Sequence, residues 1–429
     1  MSTEEKEEFH MNGEKKAFIQ EQIVPKKRSK AKKFLGYVVG ISILAIVFGA
    51  VASVAFTAME THLKKKTGKD EEQVVILSQT PSTSPTPKPS TSPTKKPEVK
   101  EEIKETLTLD KVKEAYNLLT DTAKEYNRYI VTVSSVVNGV DWFDNPSEHA
   151  AAACGIIVAD NTESLFILTT NDKIKDASSI YISFIDGKKV KASLYGTDKG
   201  TNLSVLAVDK EAIKKETWKK IEIAELGDSY YASEGVPIFC LGSPNGYMYS
   251  MQFGMIASEL KEEYVIDNKL ELFHTNTSPN PDGEGVVVNL DGKVLGIITH
   301  NFDKGLNANL CTAIGISRLK PIIERMINQK QQGYFGVVAN DMPKSLKKKL
   351  DIQNGIYITD VESNSPALEA GLKSGDVIVK IGNAEVSSVS NFNNILSKYQ
   401  PKEELKVSIL RTSLVEPKEI KTTVMLGKR

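Results

Sequence analysis

The sequence predicts a mainly β protein that one N-terminal transmembrane helix holds at a membrane. Three features indicate this: an uncharged apolar run, a Pro-, Ser- and Thr-rich stretch behind it, and many short strand patterns joined by tight turns. At 429 residues the chain is long for one domain, since a domain usually takes about 100 to 200 residues. We therefore expect several units in series.

The apolar run from Phe34 to Met59 contains no charged residue. At about 1.5 Å per helical residue it can cross a hydrocarbon core of about 30 Å. Basic residues are denser at the end of segment 1–33 than behind the run, which predicts a cytoplasmic N-terminus. A cleaved signal peptide is the alternative, because small residues occur at 52–55, although the polar head is long for one.

Residues 60–105 are expected to form an extracytoplasmic stalk. Every residue from Thr80 to Pro97 is Pro, Ser, Thr or Lys. Such a segment has nothing to bury and favours extended polyproline conformation, which rises about 3.1 Å per residue. The stalk would hold the folded region away from the membrane.

Charge and cysteine content exclude several classes of function. The 55 basic and 55 acidic residues balance, so no net positive field favours nucleic acid. Cys154, Cys240 and Cys311 have a spacing that fits neither a zinc site nor a dense disulfide framework. We expect buried free thiols, with a Cys240–Cys311 bridge left open, and predict no metal and no cofactor.

The folded region begins with a helix and continues as strands. Apolar residues at helical spacing predict a helix over Leu109–Tyr129. Alternation then predicts a hairpin from Ile180–Phe184 and Val190–Leu194, joined by an Asp-Gly turn. The same pattern recurs in Val286–Leu290 and Val294–Thr299. This arrangement is typical of an all-β sandwich or a pair of barrels rather than of alternating βα units.

Five short runs, in one order, resemble the trypsin-like domain of the HtrA/DegP family. They are LTTNDKI (168–174), GTDKGTNLSVLAV (196–208), LGDS (226–229), LGSPNG (241–246) and VNLDGKVLGI (288–297). The resemblance covers about Ala153 to Ile323. It implies a double six-stranded β-barrel domain over 106–328, frequently trimeric, that acts on unfolded or exported proteins at the cell envelope.

The resemblance also locates three catalytic positions, and each carries a different residue type here. Asp172 follows Thr-Thr-Asn where the family has its histidine, Asn202 replaces the orienting aspartate, and Glu284 replaces the nucleophilic serine. Serine-type proteolysis needs a hydroxyl, a base that takes its proton and an acid that orients the base. We therefore expect an inactive site.

The oxyanion-hole positions implied by the resemblance are Asp282, Gly283 and Glu284. We expect the Glu284 carboxylate to accept hydrogen bonds from the donors of this hole. The three substituted residues are otherwise expected to be solvated, although Asp172 and Glu284 could instead share a proton or hold a hard cation with Asn202. Surface or packing roles are expected for the histidines of the folded region: His149, His274 and His300.

From 333 to 429 the chain resembles an HtrA-type PDZ domain. The resemblance rests on GYFGV (333–337) and GIYITDVESNSPALEAGLKSGDVIVKIGN (355–383), followed by a final strand pair around Leu405–Leu410. In such domains a loop offers backbone N–H groups to a peptide's C-terminal carboxylate, while the peptide adds as a strand. The residues implied for that loop are Tyr334, Phe335, Gly336 and Val337.

A helix predicted over Val389–Tyr399 would form the second wall of the peptide groove, with Phe392, Ile395 and Leu396 on one face. Alternatively, these apolar residues are pure core and the module docks without a free ligand. The basic run Lys344–Lys349 is expected to be a solvated helix face, with binding to an anionic wall polymer or lipid as the alternative.

Together these observations predict a membrane-anchored, catalytically inactive HtrA-like protein. It would bind exposed C-terminal peptides or unfolded exported proteins in envelope quality control, or regulate an active protease. We expect a homo-trimer or co-assembly with an active relative, and a single-pass location at a Gram-positive cell surface. The alternatives are a serine-type endopeptidase of the same family and a sensory membrane protein that signals through segment 1–33.

Overall fold

The computed structural model describes residues 108–140, 146–258, 260–302, 310–411 and 417–428, with the backbone alone for 138–140 and 146–150. All described residues belong to one compact unit within Glu72–Arg429. The expected cytoplasmic segment, transmembrane helix and stalk lie outside the described residues. Within those residues, no helix is long and apolar enough to cross a membrane.

Helix α1 (Leu109–Tyr126) leads into the first barrel. It begins after Thr108, whose side chain accepts a hydrogen bond from the Lys111 backbone N–H, as an N-cap does. The helix ends three residues before its predicted limit because Asn127–Tyr129 forms a 3₁₀ turn.

The first barrel is closed by six antiparallel strands in the order β1-β2-β3-β6-β5-β4. Strands β3 and β6 are almost wholly buried, which fits their continuous apolar sequences. The predicted hairpin is present as β4 and β5. The six strands are β1 Ile130–Val140, β2 Pro146–Asp160, β3 Ser164–Thr170, β4 Ser179–Ser183, β5 Lys189–Asp198 and β6 Leu203–Asp209.

The second half of this domain is a seven-stranded antiparallel sheet, ordered β8-β7-β11-β12-β13-β10-β9. An antiparallel bridge between Ile256 and Thr275 links the chain after β8 to β10, so the sheet curves back toward itself. The predicted second hairpin is β11 and β12. The strands are β7 Pro237–Ser243, β8 Ser250–Met255, β9 Lys261–Val265, β10 Asn268–Thr275, β11 Glu284–Asn289, β12 Val294–Ile298 and β13 Cys311–Gly315.

Two further helices belong to this domain, the short α2 (Lys215–Trp218) and the longer α3 (Ile316–Ile327). The apolar side of α3, including Leu319 and Ile323, is buried in the same core as the first-barrel strands. Because α3 follows β13 directly, it ties the second sheet to the first barrel.

The C-terminal domain contains a six-stranded sheet, a separate two-stranded sheet and three helices, and it has its own apolar core. The predicted helix is α6, which ends at Leu396 rather than Tyr399. Helix α4 contains no buried residue, in agreement with a solvated basic face. The elements are β14 Gly333–Tyr334, β15 Val337–Asp341, α4 Lys344–Leu350, β16 Ile356–Val361, α5 Pro366–Glu369, β17 Val377–Ile381, β18 Ala384–Glu385, α6 Val389–Leu396, β19 Glu404–Arg411, β20 Lys418–Met425 and β21 Gly427–Lys428.

Candidate functional site

Asp172 and Asn202 are brought together where β3 ends and β6 begins. The Asn171 backbone N–H donates to the Asn202 carbonyl at 2.8 Å, which joins the two loops. Asn202 adopts a left-handed φ of 57°, and its Nδ2 donates to Asp172 Oδ2 at 2.7 Å. The amide therefore holds the carboxylate in the place where the sequence resemblance implies an aspartate–histidine pair.

Glu284 opens strand β11, and its side chain points inward. The residue is only 8% exposed. Its Oε2 accepts a hydrogen bond from the Cys154 backbone N–H at 2.8 Å, and its Oε1 accepts one from the Thr170 hydroxyl at 2.5 Å. A buried carboxylate is tolerated only when such partners replace water, so Glu284 is held firmly between β2 and β3.

Gly285, the next residue, is required by the close approach of β11 to β7. Its φ is +135°, and a Cβ there would overlap the Leu241 carbonyl oxygen. This approach fixes the direction in which the Glu284 side chain leaves the strand.

The backbone N–H groups of the loop before Glu284 form hydrogen bonds within that loop. The Asp282 N–H donates to Asn280 Oδ1 at 2.9 Å, and the Gly283 N–H donates to the Asn280 carbonyl at 2.8 Å. Our expectation that the Glu284 carboxylate would accept from the oxyanion-hole donors at 282 and 283 was wrong. Asn280 takes these N–H groups instead, because the loop folds back on itself.

His300 borders this loop, which the sequence did not indicate. It follows β12 and bonds through Nε2 to the Gly283 carbonyl at 2.7 Å. A carbonyl oxygen can only accept, so Nε2 carries the proton. His274 is a core residue whose Nδ1 lies 2.9 Å from the Ser258 hydroxyl. The side chain of His149 lies outside the described residues.

Asp172, Asn202 and Glu284 line a cavity of about 170 Å³. Its walls also include Thr170, His300 and Asn301. The cavity is small beside ordinary small-molecule pockets of about 300 to 1,000 Å³.

Asp172 and Glu284, which both line the cavity, have separate partners. Asp172 contacts Asn202 and, at 3.6 Å, Lys175, whereas both oxygens of Glu284 are taken by Cys154 and Thr170. Within the described residues, Asp172 and Glu284 form no hydrogen bond with each other. In that same part of the chain, no group of three His, Cys, Asp or Glu residues is placed to hold a metal ion. The geometry therefore gives the shared-proton and cation alternatives no support.

All three cysteines are buried and unbridged, in agreement with the predicted thiols. The Cys240 and Cys311 side chains are in hydrogen-bond contact, and this bond together with burial raises the pKa of Cys240. Burial, and then the nearby Glu284 carboxylate, raise the pKa of Cys154. A thiol with a raised pKa is a poor nucleophile at neutral pH, so Cys154 and Cys240 do not replace the missing serine. The bond with Cys240 lowers the pKa of Cys311 to about 6, but Cys311 is buried in the core of the second sheet.

The predicted carboxylate loop of the C-terminal domain is present, and its donors converge on one acceptor. The backbone N–H groups of Phe335, Gly336 and Val337 all donate to the carboxylate of Asp267, at 2.9 to 3.0 Å. Asp267 lies in the β9–β10 turn of the preceding domain, and no sequence motif singled it out.

The apolar residues expected to line the peptide groove are buried and belong to the apolar core of the C-terminal domain. They are Phe335, Val337, Phe392, Ile395 and Leu396, while Tyr334 is half-buried. The Phe335 and Phe392 rings meet edge to face at 5.3 Å. The loop and α6 thus stand side by side, with the turn between them and solvent.

Comparison with protein families gives two matches. A family model described as a trypsin-like peptidase domain matches residues 153–297, and one described as a PDZ domain matches 329–424. The two matches agree with the two structural domains and with their order in the chain.

Two bacterial proteins are similar to this chain in sequence. One is a protein of Rickettsia prowazekii that is described as a probable periplasmic serine endoprotease DegP-like. It is 29% identical over 280 residues, which cover 63% of this chain and 52% of that protein. The serine protease Do-like HtrA of Bacillus subtilis is 28% identical over 291 residues, covering 63% of each. The chain therefore spans between half and two thirds of the length of these relatives.

Solved structures support the fold. The HtrA-type protease AlgW with a decapeptide superimposes with a TM-score of 0.51 at 21% identity, covering 72% of this chain and 98% of that one. The same protease with a tripeptide gives a TM-score of 0.52 at 21% identity, covering 72% and 97%.

Proposed function

We propose that this chain is a catalytically inactive member of the HtrA/DegP family, with a trypsin-like domain followed by a PDZ domain, and that it binds exposed C-terminal peptides of exported proteins. One observation carries the proposal: a carboxylate, Glu284, stands at the nucleophile position and is held there by two hydrogen bonds. Asp172 and Asn202 at the other two positions provide neither an imidazole base nor the acid that would orient one.

The proposal includes the location and assembly expected from the sequence. The chain would be anchored by residues 34–59, with the barrel domain (106–328) and the PDZ domain (333–429) outside the cytoplasm. It would act in envelope protein quality control, or regulate an active protease through co-assembly or as a homo-trimer. The periplasmic description of the Rickettsia relative supports the extracytoplasmic placement.

Casein digestion tests the absence of catalysis. The purified full-length chain is expected to leave unfolded casein intact, because losing the nucleophile or the base alone costs on the order of 10⁶ in rate in a well-studied serine protease. The triple variant Glu284→Ser, Asp172→His, Asn202→Asp is expected to gain measurable cleavage. Glu163→Ser, a change of the same type at an exposed position, serves as the control and should stay inert.

The second candidate is a serine-type endopeptidase of the same family. The names of the relatives favour this candidate, whereas the residues at the three catalytic positions favour the first. Cleavage of casein by the parent chain, abolished by Glu284→Ala, would contradict the inactive-protein proposal. Labelling of the parent by a serine-reactive fluorophosphonate would favour the endopeptidase.

A further inference from the structure

The carboxylate-binding loop already holds a carboxylate that belongs to the chain itself. Asp267 Oδ2 accepts from Phe335 N and Gly336 N at 2.9 Å, and Oδ1 accepts from Gly336 N at 2.9 Å and Val337 N at 3.0 Å. Successive backbone N–H groups that converge in this way form a concave anion site. Asp267 is only 5% exposed, so its charge depends on these donors.

The loop has the backbone shape that such a site requires. Gly336 has a φ of +94°, and a Cβ there would overlap the Ser365 side chain. This glycine lets three consecutive N–H groups face the same point. Gly336 is therefore part of what shapes the loop around the Asp267 carboxylate.

The β9–β10 turn also continues into the groove as a peptide strand would. The Asp267 N–H donates to the Val337 carbonyl at 2.8 Å, and Ile266 forms an antiparallel bridge with Val338. From the other wall, Asn393 Nδ2 on α6 donates to the Asp267 carbonyl at 2.9 Å. Main-chain pairing with β15 and contact with α6 are what a ligand that adds as a strand would make.

A buried lysine holds the same hairpin against the C-terminal domain. Lys269 Nζ lies 2.6 Å from Glu262 Oε1 within the hairpin and 2.9 Å from Asp341 Oδ2 at the end of β15. Asp341 in turn accepts from the Val389 N–H at the start of α6, at 2.6 Å. The hairpin is thus tied to both walls of the groove.

We propose that Asp267 is an internal ligand: the β9–β10 turn occupies the site for a peptide's terminal carboxylate, and a peptide must displace it to bind. This inference rests on the proposed peptide binding and adds its regulation. The two carboxylates compete because one set of three donors serves both. The apparent affinity for a peptide is then the intrinsic affinity multiplied by the fraction of molecules in which the turn has left the groove.

Binding and hydrogen exchange of the full-length chain test this competition. Asp267→Asn removes the charge and places a side-chain NH₂ group against the backbone N–H donors of the loop. Asp267→Gly removes the side chain altogether, and glycine tolerates the φ of 58° at this position. Asp291→Asn, at the exposed turn of another hairpin, is the matched control. The probe is a dye-labelled decapeptide pool randomised at its last four positions, with free or amidated C-termini.

Both Asp267 variants are expected to bind the free-acid pool about tenfold or more tightly than the wild type, since the lost hydrogen bonds involve a charged acceptor. The control should match the wild type, and the amidated pool should bind weakly to every form. Amide exchange over residues 333–340 should be slow in the wild type and fast in the unliganded Asp267 variants.

Equal affinity of the wild type and both Asp267 variants for the free-acid pool would overturn the internal-ligand inference, as would unchanged exchange over 333–340. Faster exchange in the variants without binding of the pool to any form would support the internal contact and contradict the proposed peptide binding. Failure of the internal-ligand inference and failure of the proposed peptide binding therefore give different results.

Discussion

Glu284 lies where the sequence resemblance implies a nucleophilic serine. Serine at this position would present a short hydroxyl to the cavity, whereas the longer glutamate side chain reaches the Cys154 N–H and the Thr170 hydroxyl. Hydrogen bonds to a charged acceptor are stronger than neutral ones, so Glu284 contributes to stability where a nucleophile would contribute to catalysis.

This role predicts a stability effect of Glu284→Gln. The variant keeps the shape but replaces one oxygen by an NH₂ group that must face a donor, which should lower the free energy of unfolding by about 1–3 kcal/mol. Urea denaturation followed by circular dichroism measures the difference. Glu163→Gln, at an exposed position, should change it by less than about 0.5 kcal/mol. Equal stability of both variants would mean that the buried hydrogen bonds contribute nothing.

At the scale of elements, the β9–β10 hairpin of the barrel domain makes the contacts with the C-terminal domain described above. Its turn enters the groove that we propose for a peptide, and its charged residues form a small network. Lys269 lies between Glu262 and Asp341, while the Tyr264 hydroxyl donates to Glu262 at 2.6 Å. Partial burial would raise the pKa of Glu262, but the hydrogen bonds from Lys269 and Tyr264 lower it below the ordinary value of 4.5.

The hairpin should therefore lose stability in acid. A carboxyl with a lowered folded-state pKa contributes stability that is fully present above its unfolded pKa of about 4.3 and is lost as the pH falls through the folded-state pKa. The difference in unfolding free energy between wild type and Glu262→Gln is expected to shrink from about pH 7 to about pH 3. Denaturation curves across that range measure it. A difference that stays constant would show that Glu262 gains nothing from its partners.

At the scale of the whole molecule, the anchor and stalk expected from the sequence remain predictions. They rest on the apolar run from Phe34 to Met59 and on the composition of Thr80 to Pro97. A span of this length inserts far more stably than a surface-bound segment or a single lipid chain.

The full-length chain is accordingly expected to stay in the membrane fraction through an alkaline carbonate wash. Deletion of 34–59 should move it to the supernatant, whereas deletion of 80–97, a control in the stalk, should leave it bound. Immunoblots of the two fractions provide the measurement. Release of the intact chain by the wash would rule out a spanning anchor.

Several features could be predicted from local sequence because their causes are local. Alternating apolar residues and Asp-Gly turns predicted the hairpins β4–β5 and β11–β12, and three buried cysteines followed from their apolar neighbours. Element ends were less accurate: α1 and α6 both stop three residues early, where the last turn tightens or a cap intervenes.

The sequence by itself determined the domain order, the strand pattern and the residue types at the three catalytic positions, because periodicity and short motifs encode them. Only the tertiary structure decided what those residues contact. Asp267 lies 68 residues before Phe335, and Asn280 rather than Glu284 takes the oxyanion-hole donors. Such contacts depend on how loops from distant strands meet, and no local pattern of side chains specifies that meeting.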